Sequence, residues 1–210
     1  GTFNASQWNG FPSSDHRLVF SDIQLQPQTA NTIPRASFQG QVIFPTGFIP
    51  SGSAGTVNGV ATAMGGLSGV TYDSVNNRFY AISDDRSQVG PARFYTFTTA
   101  VSPSGQLSSV NFTNATPLQQ PNGSFYPALS LDPEGIALTQ KGTVFVSSEG
   151  EVNPAAGRVT SPFVNEYNLA TGAFVRALPV PGKFVPVVQD TNNSGAIDAG
   201  DTQTLGVRNN

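Results

Sequence analysis

The feature that most constrains this chain is a segment that occurs twice. The first copy runs Gly66-Leu-Ser-Gly-Val-Thr-Tyr-Asp73, turns through Ser74 to Asn77, and returns as Arg78-Phe-Tyr-Ala-Ile-Ser-Asp-Asp85. The second runs Asp132-Pro-Glu-Gly-Ile-Ala-Leu138, turns at Gln140-Lys-Gly142, and returns as Thr143-Val-Phe-Val-Ser-Ser-Glu149. Each is an apolar run, an Asn- or Gly-type turn, and a second apolar run ending in serine and an acid. That pattern is hairpin chemistry. Two more strand-like stretches follow each hairpin: Ala92 to Thr98 and Leu107 to Phe112, then Phe163 to Asn168 and Ala173 to Val180. Four antiparallel strands recurring every ~40–70 residues predict propeller blades, with a β-sandwich of two similar hairpins as the competing architecture.

Composition agrees with an all-β chain. Twenty-two Gly and 16 Pro punctuate turns, 15 Phe and many Val supply strands, and the charged residues that favour long helices are only 11% of the total. The net charge is -3 and the 10 basic residues form no cluster, so neither a nucleic-acid groove nor an anionic-membrane patch is expected. Cysteine is absent, which removes disulfides, thiolate metal sites and cysteine nucleophiles. No apolar run reaches the ~20 residues of a membrane span. Low charge and abundant Ser, Thr and Asn fit a secreted protein, extracellular or periplasmic. Five N-x-Ser/Thr sequons, at Asn4, Asn111, Asn114, Asn122 and Asn192, matter only in a eukaryotic secretory setting.

The repeat also has a geometric consequence. In an antiparallel hairpin the start of the first strand and the end of the second lie at the same end. Ser68 and Asp85 should therefore share one end of the first blade, and Glu134 and Glu149 the same end of the second. With the first strand innermost, Ser68 and Glu134 would lie near the central axis. Three of the four Glu (Glu134, Glu149, Glu151) fall in this one segment. Gathering scarce carboxylates at one mouth is costly unless a cation or substrate offsets their repulsion. The competing reading of each acid is a turn cap that accepts backbone N–H bonds.

Residues 190–201, Asp190-Thr-Asn-Asn-Ser-Gly-Ala-Ile-Asp-Ala-Gly-Asp201, match the twelve-position EF-hand loop. Asp190, Asn192, Ser194, Asp198 and Asp201 supply oxygen side chains, Ala196 its backbone carbonyl, and Gly195 sits where the chain must turn sharply. The twelfth position is Asp rather than Glu, a shorter arm. Pro181 and Pro186 upstream and an extended stretch downstream predict a calcium loop set between strands, not helices. A metal-free Asn/Asp-rich turn is the alternative.

The strings Gly65-Gly-Leu-Ser-Gly-Val-Thr-Tyr-Asp73, Tyr80-Ala-Ile-Ser-Asp-Asp-Arg-Ser87, Ala92-Arg-Phe-Tyr-Thr96, Asp132-Pro-Glu-Gly-Ile-Ala137, Ser147-Ser-Glu-Gly-Glu151 and Leu178-Pro-Val-Pro181 form an ordered set. Together with the closing Gly206-Val-Arg-Asn209, they resemble the phytase-like domain with esterase-like activity, from about Gly65 onward. The resemblance implies a β-propeller of four-stranded blades, with residues 1–210 as the N-terminal part of a single domain. It further implies that the chain stops between blades. A C-terminal remainder is then expected, either a cleaved fragment or a second chain, because a part-propeller leaves open edges. Self-assembly is a related expectation.

For function the resemblance implies phosphoester or ester hydrolysis. In a metal-assisted route Asp84, Asp85, Glu134 and Glu149 would hold Ca²⁺, and Arg86 would clamp phosphate oxygens in a bidentate fork. Lys183 and Arg208 are weaker candidates for that clamp, and Arg86 reads equally as a salt-bridged loop residue. A non-catalytic extracellular scaffold for assembly or binding is the other reading of the whole chain. A Ser-His-Asp triad is disfavoured: the one histidine, His16, lies in a polar stretch, and no Gly-x-Ser-x-Gly elbow exists.

Overall fold

The computed structural model describes residues 38–205. Trp8, His16, Arg208 and the closing 206–209 segment lie outside the described residues, and so does Asn4. Within them the chain is all-β. A short hairpin, β1 (Thr56–Val57) and β2 (Val60–Ala61), precedes the first four-stranded sheet. That sheet holds β3 (Leu67–Asp73), β4 (Arg78–Ser83), β5 (Arg93–Val101) and β6 (Leu107–Pro117), antiparallel and in chain order. The second sheet begins with β7 (Pro133–Leu138) and β8 (Thr143–Ser148). A small ribbon, β9 (Glu151–Asn153) and β10 (Arg158–Thr160), interrupts it before β11 (Phe163–Asn168) and β12 (Phe174–Leu178) complete the order β7-β8-β11-β12. Last come β13 (Val187–Gln189) and β14 (Thr202–Leu205), an antiparallel pair that flanks the predicted calcium loop.

The two sheets are related as the repeat predicts, with their first strands meeting at the inner edge. Contacts between sheets concentrate where β7 lies against β3 and β4. The Leu138 amide donates to Thr71 Oγ1 at 3.2 Å. A Cβ at Gly69 would stand 2.8 Å from the Glu134 carbonyl oxygen, so the approach of the inner strands requires glycine there.

Burial patterns follow from what covers each face. Strand β4 buries Tyr80, Ala81, Ile82 and Ser83 in succession, because both faces of the first sheet are covered. Tyr80, Ile82 and Phe94 pack towards the second sheet with Val144, Val146 and Tyr167. On the other face Ala81, Tyr95, Phe97 and Phe112 meet Ala54, Val57, Phe44 and Phe48 from the preceding segment. Strand β8 instead alternates, with Val144, Val146 and Ser148 buried and Thr143, Phe145 and Ser147 half-buried. The second sheet is thus packed on one face and more open on the other, where the Arg176 guanidinium lies 5.5 Å from the Phe145 ring centroid.

Candidate metal centre

Both hairpins carry the same irregularity at the same place. Leu67 pairs with Ser83 but Gly69 with Ile82, and Pro133 pairs with Ser148 but Gly135 with Ser147. Ser68 and Glu134 are the extra residues of these two bulges, and a bulge re-aims the side chain it inserts. The hairpin ends are closed alike. The Asp84 amide donates to the Gly66 carbonyl and the Glu149 amide to the Asp132 carbonyl, each at 2.8 Å. Asp84 and Glu149 therefore occupy equivalent positions, as do Ser68 and Glu134.

From this geometry a carboxylate cluster forms at one end of the two sheets. Asp84, just beyond β4, Asp132, just before β7, and Glu134, in the β7 bulge, bring carboxylate oxygens within 4.8 Å of one another, and all three are half-buried. Two oxygens that each lie ~2.4 Å from a common Ca²⁺ can be no more than ~4.8 Å apart, so the spacing suits such an ion. Burial pushes the Asp132 carboxyl above its ordinary range. Arg86 opposes the rise, while Asp84, Glu149 and Glu151 add to it. That is the electrostatic state of an acid among acids.

Arg86 sits beside the cluster but is already engaged. Its Nε donates to the Leu131 carbonyl at 3.2 Å and lies 3.6 Å from Asp132 Oδ2. Its Nη2 pairs with Glu151. Arg158 Nη2 reaches the other oxygen of Glu151 at 2.8 Å. Hydrogen bonding from Arg158, with help from Arg86, lowers the Glu151 carboxyl from 4.5 to about 2. A lowered carboxylate adds stability above its unfolded value and loses it as pH falls through the folded one. The chain should accordingly lose on the order of 2 kcal/mol between about pH 4.5 and 2, a figure reduced for solvent screening. Acid unfolding of Glu151→Gln, which lacks this dependence, against the parent is the check.

The other predicted acids divide. Glu149 is exposed and, with Glu134, lines a cleft of about 480 Å³ whose remaining walls include Phe163, Val164, Val180 and Phe184. Asp85 does not join the cluster. Its carboxylate accepts the amides of Gln88 (2.8 Å), Val89 (3.1 Å) and Gly90 (3.0 Å), and binds Arg93 Nη1 at 2.7 Å. Every strong acceptor direction is taken, so the turn-cap reading describes Asp85 and the ligand reading does not. Ser68, the extra residue of the β3 bulge, buries its Oγ without a hydrogen-bond partner among the described residues. Lys183 Nζ stands 4.9 Å from the ring centroid of Phe184 at the cleft.

Asp132 was not among the acids singled out from the sequence. Its signal was present, since Asp132 and Glu134 bracket the proline that starts an inner strand. Only the bulge turns that spacing into convergence.

The 190–201 loop is flanked by strands, as predicted, with Gln189 opposite Thr202. Asp190 accepts the amides of Ser194 and Gly195 at 3.1 and 2.9 Å, and Gly195 has φ +82°. Asp201 accepts those of Thr191 and Asp198, and Asn192 Nδ2 donates to Asp198 at 2.7 Å. The Gly200 amide, then Ser194 and Asn192, hold the Asp198 carboxyl below its ordinary range. Ser194 Oγ donates to the Ala196 carbonyl at 3.0 Å. All six predicted ligand positions therefore belong to one compact turn.

Among the described residues no helix is long and apolar enough to cross a membrane. The family model described as phytase-like, esterase-like activity of phytase, matches residues 62–210. No curated protein matches the chain.

Proposed function

The chain belongs to the phytase-like family described by esterase-like activity of phytase, and from that premise we propose that it is a secreted, calcium-dependent hydrolase of phosphoesters or esters. The family's fold is a β-propeller, and the two four-stranded sheets are its blades. The observation that carries the proposal is the convergence of Asp84, Asp132 and Glu134 from two blades onto one point. Three carboxylates offer hard oxygen donors in the number and spacing that Ca²⁺ accepts, with room for water or substrate. A bound dication would polarise the ester oxygen and make a water acidic enough to attack.

The chain's own residues do the rest. Glu134, in the inner strand β7, and Asp132, just before it, would hold the cation together with Asp84. Glu149, unligated beside them, is placed to accept a proton from an attacking water. Arg86 is a positioning residue: through Glu151 and the Leu131 carbonyl it holds the 131–134 segment in place.

The 190–201 loop is proposed as a second, structural calcium site. Asp201 in place of Glu weakens binding, which suits the higher calcium levels met outside cells. One experiment addresses both sites. Calcium-loaded protein should hydrolyse bis(4-nitrophenyl) phosphate and lose that activity in chelator. Asp190→Ala should retain activity in saturating calcium, yet lack most of the parent's calcium-induced rise in melting temperature. Inactivity of the calcium-loaded protein would leave the scaffold reading in place.

A further inference from the structure

The cleft shares Glu134 with the carboxylate cluster, and its lining is mainly apolar. Pro162, Phe163, Val164, Val180 and Phe184 line the same cleft as Glu134. The charge around it has the wrong sign for a polyanion. Asp84, Asp132, Glu134, Glu149 and Glu151 stand against Arg86, Arg158 and Lys183. Both arginines are spent on Glu151. Glu149 makes no salt bridge among the described residues and faces the cleft with its charge unneutralised. One bound dication would bring this neighbourhood only to neutrality.

Highly phosphorylated substrates are held by clusters of free cationic forks, and among the described residues no such cluster lines this cleft. An apolar wall beside a catalytic centre instead buries an aryl or alkyl group and orients the bond next to it. Resting on the hydrolase reading above, we infer that the substrate class is an ester or phosphodiester with an apolar substituent and at most one negative charge. The substituent sits against Phe163 and Phe184, and the reacting centre lies at Glu134.

Binding separates this inference from turnover. Diphenyl phosphate is the monoanionic probe, and fructose 1,6-bisphosphate is the polyanionic one. Calorimetry in saturating calcium should show diphenyl phosphate binding at least ~10-fold more tightly than the bisphosphate. Phe184 is 40% exposed, so Phe184→Ala should fold normally while weakening diphenyl phosphate about tenfold. Glu149→Lys should strengthen the bisphosphate severalfold.

Equal affinity for the two probes, or a Phe184→Ala variant that binds diphenyl phosphate as the parent does, would overturn the inference. Phe184-dependent binding in a protein that hydrolyses nothing would overturn the catalytic reading alone. Hydrolysis of bis(4-nitrophenyl) phosphate with no Phe184 dependence would do the reverse.

Discussion

Asp85→Ala is expected to lower stability by about 3–5 kcal/mol, the cost of removing one partner from a buried ion pair. Arg93 is fully buried, and its charge is balanced by Asp85 at 2.7 Å. Its remaining donors go to the Ala63 and Pro91 carbonyls and the Tyr95 hydroxyl, none of which carries a compensating charge. The variant would also strand the amides of Gln88, Val89 and Gly90. Since ~1 kcal/mol moves the melting temperature of a chain this size by about 2–4 °C, a fall of about 10 °C is the expected reading. Arg93→Leu combined with Asp85→Leu should recover part of the loss, because the double change buries no lone charge. Strict additivity of the two single changes would refute the pairing.

The second large effect belongs to Asp132, and its sign should depend on calcium. In chelator, Asp132→Asn removes one of several crowded negative charges at a site where burial already disfavours the ionised form. Stability should rise slightly, by up to about 1 kcal/mol. Arg86 keeps Glu151 and the Leu131 carbonyl, so it is not stranded. In calcium the order should invert, because the parent gains binding energy that the variant lacks. Hydrolysis of bis(4-nitrophenyl) phosphate should drop about 100-fold or more, since the variant loses a cation ligand. Glu134→Gln should lose hydrolysis to a similar extent, as it too would remove a cation ligand. A variant that melts below the parent by the same margin in chelator and in calcium would assign Asp132 a purely structural role.

The site and its supports were not equally legible. Glu134 and Glu149 could be placed at one end of a hairpin from sequence, because antiparallel pairing fixes which residues share an end. The same reasoning put Asp85 with them. Adjacent residues at a strand end point in different directions, and the 85–90 turn offered three amides to the one that faced inward. Arg93, read from sequence as a strand residue, gave no sign that it would be fully buried. Its partner lies eight residues back, across a turn whose path the sequence does not fix. Arg86 was weighed as a free clamp or a paired residue, and its contacts to Glu151 and Asp132 cross between blades.

What the sequence determined by itself was local and periodic: the hairpins, their four-strand repeat, the strand-flanked loop at 190–201, and the lack of cysteine. These follow from residue spacing, turn chemistry and counts, which need no knowledge of neighbours. What only the tertiary structure decided was convergence. The repeated bulge at Ser68 and Glu134, the glycine-permitted approach of β3 to β7, and the packing of one blade on the next bring Asp84, Asp132 and Glu134 together. The same packing gives Asp85 to Arg93. A carboxylate becomes a ligand or a brace according to what stands opposite it, and that is set by contacts between segments ~50 residues apart, whose closure no local pattern encodes.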